Sequence, residues 1–281
     1  MNYKEKLSLK EIRKIQLNGL IYLKDICEKY NITYYITSGT LLGAVKYKGY
    51  IPWDDDIDIA LKRDDYLKLI KLLEKENNSD YKVLTIYNTK DYYYPYAKLT
   101  YNKTKILDNA KEIKELGVFV DIFPLDYFDD NITKFFHKTR FIRNMISKRM
   151  KIKNDIKKTK LLKEKKYTVN HYKLKKCIYD FIDIISRPLG YNFWAKLLDK
   201  ILLNFKSDKY IAVFYLKDLN YFDVDLFNHL SEYKFENHVF TSIKDYDKYL
   251  TQLYGNYRKD PPLSKQKTHH QIVAYWRNNE K

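Results

Sequence analysis

The spacing of apolar residues predicts a helix near the start of the chain. Ser8 and Glu11 have the spacing of an N-terminal capping box, and apolar residues then recur on one helical face from Ile12 to Ile26. We therefore expect an amphipathic helix from Ser8 to about Asn31.

Alternating patterns predict several short strands. Residues 56–61 carry an apolar side chain at every second position, so we expect Asp56 and Asp58 on one face of a strand and the apolar residues on the other. Ser38 and Gly39 predict a turn that leads from a strand into a short helix. Further strands are predicted at residues 34–37, 82–87, 94–101, 104–108 and 118–123, the last of them ending at Pro124.

The order of these elements predicts an α+β protein with one mixed β-sheet. Most predicted strands lie within residues 1–130, residues 131–206 have a helical pattern, and residues 207–281 are mixed. We interpret the first segment as a core, the second as a basic helical insertion, and the third as a segment that completes the same domain.

The charge of the chain is concentrated in that insertion. The 281 residues include 53 Lys or Arg and 36 Asp or Glu, a net charge of +17, and residues 134–176 alone hold 17 basic and two acidic residues. Apolar residues at helical spacing within this segment predict a basic amphipathic helix. It is either a solvated helical face or a surface for anionic lipid or a polyanionic polymer. Nucleic acid is the least favoured partner, because no helix-turn-helix, zinc-finger or aromatic RNA-binding pattern accompanies the charge.

Cysteine usage and hydropathy predict a cytoplasmic protein. Cys27 and Cys177 are far apart and fit neither a disulfide framework nor a zinc-binding pattern, which favours a reducing compartment. The first residues lack the apolar stretch of a signal peptide, and no apolar run is long enough to span a bilayer.

An acidic segment is the strongest indication of chemistry. Asp54, Asp55, Asp56 and Asp58 lie within five residues of a basic chain, and such a density of like charges is unfavourable unless a cation lies among them. Because Asp56 and Asp58 point the same way, we expect them to bind one or two magnesium-like ions, with Asp121 from a later strand as a third ligand. The alternatives are a solvated turn, a calcium-binding loop without an EF-hand pattern, or, for Asp121, a salt-bridged strand residue.

A second feature fits a phosphorylated ligand. Ser38, Gly39 and Thr40 precede a predicted helix whose backbone N–H groups and dipole favour phosphate. Together with the carboxylates, this turn predicts metal-assisted phosphoryl transfer.

Three segments carry a family resemblance. They are SGTLLGAVKYKGYIPWDDDIDIALKRDDY at residues 38–66, GVFVDIFPLD at residues 117–126, and LYGNYRKDPP at residues 253–262, which His269 and His270 follow. Together they resemble the LicD family of bacterial phosphotransferases, which is related to fukutin. The resemblance extends over nearly the whole chain.

The resemblance implies a fold, a donor and a set of site residues. It implies a nucleotidyltransferase-like mixed sheet of the DNA polymerase beta superfamily, with residues 1–130 as its catalytic core. Members transfer a phosphoryl-linked head group from a CDP-activated donor, such as CDP-choline, to a hydroxyl of teichoic acid or lipopolysaccharide and release CMP. By resemblance, Asp56, Asp58 and Asp121 are the catalytic residues and bind Mg²⁺ or Mn²⁺, and Asp121 also helps to deprotonate the acceptor. The expected substrate-binding residues are Ser38, Gly39, Thr40, Lys46, Arg63, Lys98, His269 and His270.

The chain also departs from the family. Lys46 stands where members often have Arg, so a bidentate phosphate contact becomes a point-charge contact. The zinc-binding cysteines of the metazoan relatives have no counterpart, so we expect no structural zinc.

Several functions remain open from the sequence. The donor head group is choline, ethanolamine, ribitol or glycerol, and Trp53 with nearby tyrosines is compatible with a quaternary ammonium. The alternatives to phosphocholine transfer are a CDP-ribitol or CDP-glycerol phosphotransferase, a nucleotidyltransferase that releases pyrophosphate, and a non-catalytic module that binds membranes or polyanions. We expect a cytoplasmic enzyme at the inner face of the membrane, bound to anionic lipid through residues 134–176.

Overall fold

Helices and strands are mixed along the chain. The computed structural model describes residues 5–76, 78–106, 113–150, 169–190, 192–205, 207–214, 219–268 and 273–277. The α-helices in these residues are α1 (Leu9–Lys29), α2 (Ser38–Lys46), α3 (Arg63–Lys75), α4 (Ile132–Lys138), α5 (Arg140–Met150), α6 (Val169–Ser186), α7 (Phe193–Leu202) and α8 (Tyr246–Tyr254). The strands are β1 (Tyr35–Ile36), β2 (Asp58–Lys62), β3 (Tyr81–Leu84), β4 (Ala97–Tyr101), β5 (Thr104–Ile106), β6 (Phe119–Phe128), β7 (Tyr210–Val213), β8 (Asn220–Asp223), β9 (Leu230–Phe235), β10 (His238–Ile243) and β11 (Ala274–Trp276).

One mixed sheet organises the molecule and confirms the predicted α+β class. Its strands run in the order β1-β2-β6-β4-β3, and β7 continues it by pairing with the end of β6 and with β8. The β2–β6 pair is parallel, whereas the other pairs in this sheet are antiparallel. The hairpin β9–β10 and the pair β5–β11 form two smaller sheets.

Helix α1 has the predicted capping box. The Ser8 hydroxyl accepts a hydrogen bond from the Glu11 N–H at 3.3 Å, and the Glu11 carboxylate accepts one from the Ser8 N–H at 2.8 Å. These bonds satisfy two N–H groups that have no partner within the helix. The helix ends at Lys29, close to the predicted end.

Two hydrophobic clusters fill the interior. The first joins α1, α3 and the main sheet and includes the fully buried Leu23, Leu69 and Ile59. The second joins the far end of β6 to α5 and α7 through Phe128, Met145 and Leu198. The apolar face of the acidic segment faces the first cluster, which leaves the acidic face for the opposite side of the sheet.

Strand β6 continues through Pro124, so the prediction that it ends there is wrong. Along one edge of β6, β4 pairs as far as Ile122 and β7 pairs from Asp126 onwards. Pro124 lies in the gap between these two partners, where its missing N–H costs no ladder hydrogen bond on that edge. The strand therefore exchanges one neighbour for another at the proline.

The segment predicted to be helical is helical where the structure describes it, in α4 to α7. Residues 151–168 of the basic segment lie outside the described residues. Within the described part of the chain, no helix has the length and the apolar composition needed to cross a membrane.

Candidate functional site

The start of α2 differs from the predicted turn. Ser38 is already the first residue of the helix, so Ser38, Gly39 and Thr40 form its first turn rather than a loop before it. Ser38 has a φ of 50°, and the Thr37 hydroxyl hydrogen-bonds to the Tyr249 hydroxyl from α8. The positive φ lets β1 pass into α2 without an intervening loop, so the N-terminus of α2 follows directly from the end of the strand.

Gly39 allows a carboxylate to approach this helix closely. A Cβ atom at Gly39 would lie 2.7 Å from Oδ2 of Asp54, which is closer than such contacts allow. Only glycine therefore permits Asp54 to lie against the first turn of α2.

The acidic segment is held in place by α1. The Arg13 guanidinium donates hydrogen bonds to the carbonyl oxygens of Ile51 at 3.0 Å and Asp54 at 2.6 Å, and the Gln16 amide donates to the carbonyl of Asp55 at 2.8 Å. These contacts go to main-chain oxygens, so they fix the course of the loop while it carries its carboxylates.

Strand β2 begins at Asp58, two residues later than the sequence pattern predicts. The Asp58 N–H donates to the Thr40 hydroxyl at 2.8 Å instead of to a neighbouring strand. Asp56 therefore precedes the strand, although burial still alternates from Asp55 to Ile59 as the sequence pattern predicts. The Thr40 hydroxyl, a predicted substrate contact, instead positions the start of β2.

Three carboxylates of this segment converge. One oxygen each from Asp54, Asp55 and Asp56 all lie within 4.8 Å of one another, and Asp54, Asp56 and Asp58 line the same cavity. Burial and the Asp56 carboxylate raise the pKa of Asp54 to about 7, and the same two causes raise the pKa of Asp58 well above its usual value. This donor set of hard oxygens, with its unfavourable mutual charge, fits a divalent cation.

Asp121 lies next to Asp58 in the sheet. The two residues are register partners on the parallel strands β2 and β6, and Lys98 on β4 is the antiparallel partner of Asp121. Register partners share a sheet face, so Asp58, Asp121 and Lys98 form a row across three strands. The geometry thus brings together acidic residues from two separate strands.

The buried Lys98 ammonium neutralises Asp121. Both side chains are about 3% exposed, and Lys98 Nζ forms an ion pair and hydrogen bond with Asp121 Oδ1. The ammonium also lies 3.5 Å from the ring centre of Phe119 and 4.7 Å from that of Tyr94. Asp121 is therefore buried behind the carboxylates that line the cavity.

The cavity beside these carboxylates has a volume of about 520 Å³. Its lining comes from α2 and the chain that follows it as far as Asp58, and from the end of α8 and the residues after it: Ser38, Gly39, Leu42, Lys46, Tyr47, Ile51, Trp53, Asp54, Asp56, Asp58, Tyr254, Asn256, Tyr257, Lys259, Asp260 and Pro261. It therefore joins the helix N-terminus, the carboxylates and a group of aromatic rings in one space.

Lys46 links the two walls of this cavity. Its ammonium donates to the Asp260 carboxylate at 2.5 Å and to the Tyr257 carbonyl at 2.9 Å, and the Tyr47 hydroxyl donates to the same Asp260 oxygen at 2.5 Å. The predicted phosphate-binding lysine thus holds the segment after α8 against α2.

Three residues that are predicted to bind substrate, Thr40, Arg63 and Lys98, are not among the residues that line the cavity. Arg63 lies at the start of α3 and is buried, where its guanidinium donates to Asp126 at 2.7 and 2.8 Å and to Asp199 at 2.9 Å. His269 and His270 lie outside the described residues.

Sequence reasoning missed several residues around the site. Arg13 and Gln16 carry no recognisable signal, because they look like ordinary polar positions of an amphipathic helix. Tyr254, Tyr257 and Asp260 lie in the LYGNYRKDPP segment, and the motif itself is the signal that could have placed them at the site.

Comparisons with known proteins identify related sequences. Residues 31–156 match the family described as LicD/FKTN/FKRP, nucleotidyltransferase domain, a span that includes α2, the acidic segment and β6. The lipopolysaccharide cholinephosphotransferase LicD of Haemophilus influenzae (strain ATCC 51907 / DSM 11121 / KW20 / Rd) is 32% identical over 279 residues, which cover 96% of this chain and 99% of the relative.

Two shorter similarities are to uncharacterized rickettsial proteins. A protein of Rickettsia prowazekii (strain Madrid E) is 40% identical over 86 residues, which cover 27% of this chain and 32% of that protein. A protein of Rickettsia typhi (strain ATCC VR-144 / Wilmington) is 41% identical over 59 residues, covering 21% of this chain and 19% of that protein.

The family match and the nearly full-length similarity define an enzyme of the phosphotransferase class. The chain belongs to the LicD family and is a LicD-type transferase.

Proposed function

We propose that this enzyme transfers phosphocholine from a CDP-linked donor to a hydroxyl of a cell-surface glycan and releases CMP. The observation that carries the proposal is the convergence of the α2 N-terminus with Asp54, Asp56 and Asp58 on one cavity. The helix N-terminus suits phosphate oxygens, and the carboxylates suit the cation that accompanies a pyrophosphate. The name of the Haemophilus relative supports choline as the head group and lipopolysaccharide as the acceptor class.

The rest of the cavity wall favours a cationic head group over a neutral polyol. Tyr47, Trp53, Tyr254 and Tyr257 all line it, and the rings of Tyr47 and Trp53 meet edge to face with their centres 6.3 Å apart. Aromatic faces attract quaternary ammonium groups, whereas ribitol and glycerol require hydrogen-bonding partners for several hydroxyl groups. The carboxylates of Asp54, Asp56 and Asp58 in the same wall also attract a cationic head group.

The first turn of α2 supplies the phosphate contacts in this mechanism. Its N–H groups at Gly39 and Thr40 bind donor phosphate oxygens, and Gly39 lets the donor come close to the backbone. Asp56 and Asp58, with Asp54 beside them, would hold Mg²⁺ or Mn²⁺, which supplies positive charge against the phosphate oxygens when bound. That Asp121 is a metal ligand or helps to deprotonate the acceptor stays a prediction.

Product analysis tests the proposal. The protein is incubated with Mg²⁺, a saccharide acceptor and CDP-choline, CDP-ethanolamine, CDP-ribitol or CDP-glycerol, and CMP and pyrophosphate are measured separately. We expect CMP release that is fastest with CDP-choline. Pyrophosphate release instead would identify nucleotidyl transfer, and no turnover with any of the four donors would contradict the donor class.

Asp56→Asn tests the assigned carboxylate. We expect turnover to fall about a hundredfold or more, and Mn²⁺ binding, measured by electron paramagnetic resonance, to weaken in the same variant. Asp25→Asn, an exposed carboxylate on α1, is the matched control and should retain both properties. Equal effects in the two variants would contradict the assignment of Asp56.

A further inference from the structure

Helix α6 has its apolar side facing outward. Large apolar residues at Ile178, Phe181, Ile184 and Ile185 follow one face of the helix, and Leu189 extends that face into the next turn of chain. These five side chains are between 48% and 62% exposed. A helix on the surface of a soluble protein normally has the opposite arrangement, with its apolar face toward the core. We call these five residues the α6 patch.

The opposite face of α6 holds the helix in this orientation. Tyr179 stacks on Phe141 with ring centres 5.5 Å apart, and its hydroxyl accepts a hydrogen bond from the Asn144 amide at 3.0 Å. Asp180 forms an ion pair with Lys148, also on α5. Rotating the helix to bury the α6 patch would break these aromatic and polar contacts, so the patch stays exposed.

The charge of the sequence that leads into α6 indicates what covers the patch. Residues 134–176, which end just before Ile178, carry 17 basic and two acidic residues, and Arg187 after the helix has a side chain that is 64% exposed. A second copy of the chain would bring two such basic segments together, which is unfavourable. An anionic lipid bilayer satisfies both properties, because its interface accepts apolar side chains and its head groups attract Lys and Arg.

We propose that α6 docks the enzyme on an anionic membrane surface. The α6 patch enters the interface between head groups and acyl chains, and the net positive charge of the sequence before it attracts anionic lipid. This assigns membrane contact to an apolar face that the charge pattern alone did not reveal. The proposal does not depend on the identity of the transferred head group.

Vesicle binding tests the proposal with the full-length protein. Vesicles of phosphatidylcholine alone and of phosphatidylcholine with phosphatidylglycerol are sedimented with wild type, with Phe181→Ser/Ile185→Ser, and with Leu263→Ser, which removes an apolar side chain that is 83% exposed elsewhere. We expect binding to the anionic vesicles only, weakened about tenfold or more by the double substitution and by high salt, and changed less than about twofold by Leu263→Ser.

A fluorescent label on one cysteine provides an independent measurement of membrane contact. Cys177 is exposed at the edge of the α6 patch, whereas Cys27 is buried and burial raises the pKa of its thiol to about 12, so a thiol-reactive, environment-sensitive dye labels Cys177 selectively. Its emission should shift to the blue when anionic vesicles are added.

Three results would overturn the proposal. They are equal vesicle binding by wild type and the double variant, no binding by wild type, and a dimer in sedimentation velocity that the double variant abolishes, which would identify a second copy as the occupant.

Discussion

Replacing Arg63 should test whether this residue holds the fold together or binds substrate. The sequence predicts a substrate contact, whereas the structure places its guanidinium between two buried carboxylates, those of Asp126 and Asp199. The Tyr87 hydroxyl donates a further hydrogen bond to Asp199 at 2.6 Å. Arg63→Met keeps most of the side-chain volume and removes the charge and the hydrogen bonds, so it leaves two carboxylates without their counterion.

The size of the effect follows from burial. The Arg63, Asp126 and Asp199 side chains are 8%, 2% and 8% exposed. Removing one partner of such a buried ion pair costs about 3–5 kcal/mol, a large part of the roughly 5–15 kcal/mol that stabilises a typical protein. At about 2–4 °C per kcal/mol, Tm should fall by roughly 6–20 °C.

The loss of stability in Arg63→Met should be larger at neutral pH than at acidic pH. Burial raises the pKa of Asp126 to about 6 even with Arg63 present, above the 3.8 of an unfolded chain. A carboxyl group whose folded-state pKa is raised destabilises the protein as pH rises through that range. Without Arg63 this pKa rises further, so the deficit of Arg63→Met should be largest near neutral pH and shrink toward about pH 4.

Calorimetry and steady-state kinetics together decide between the two roles. Arg187→Met is the matched control, because Arg187 pairs with Asp183 at 3.4 Å while its own side chain is 64% exposed, and its loss should cost less than about 1 kcal/mol. An unchanged Tm in Arg63→Met, accompanied by a raised KM for the CDP-linked donor, would refute the structural role and support the sequence prediction.

Three further substitutions address the cavity. Gly39→Ala should lower turnover with little loss of Tm, because the new Cβ would lie 2.7 Å from Oδ2 of Asp54 and so forces that carboxylate to move; retention of wild-type kinetics would contradict this. Thr40→Val should cost about 1–3 kcal/mol in denaturant unfolding, because it removes the acceptor of the Asp58 N–H, and Thr40→Ser should restore most of it. In chelator-treated protein, Asp54→Asn should raise stability above about pH 7 by about 1–3 kcal/mol, because burial and Asp56 raise the pKa of Asp54 to about 7 and its ionisation then opposes folding. That gain should disappear near pH 4, and a gain independent of pH would contradict the charge explanation.

The parts of the fold that sequence predicts are those governed by local rules. The capping box at Ser8 and the alternation around Asp58 depend on residues a few positions apart, and both are present in the structure. The course of β6 depends on a change of partner strand at Pro124, which involves β7 some ninety residues later. No local pattern contains that information.

The same distinction applies to the candidate site. The sequence predicts the acidic part of the site because several carboxylates lie within a few residues, but the residues that position them come from elsewhere in the chain. Arg13 lies about forty residues before the carbonyl oxygens that it binds, and Asp260 lies more than two hundred residues after Lys46. The same limit applies to Arg63, because nothing in its sequence neighbourhood shows that Asp126 and Asp199 fold onto it.

The contacts around the acidic segment explain how a fold can hold carboxylates close together. Arg13 and Gln16 donate to main-chain oxygens, and Thr40 accepts from the N–H of Asp58, so the loop is fixed through its backbone. Lys98, which lies in the same row as Asp58, pairs with the deeper Asp121. The contacts that fix this segment thus go to its main chain and leave its carboxylates facing the cavity, where burial and their mutual repulsion raise the pKa values of Asp54 and Asp58. That unfavourable charge would be relieved by the divalent cation proposed above.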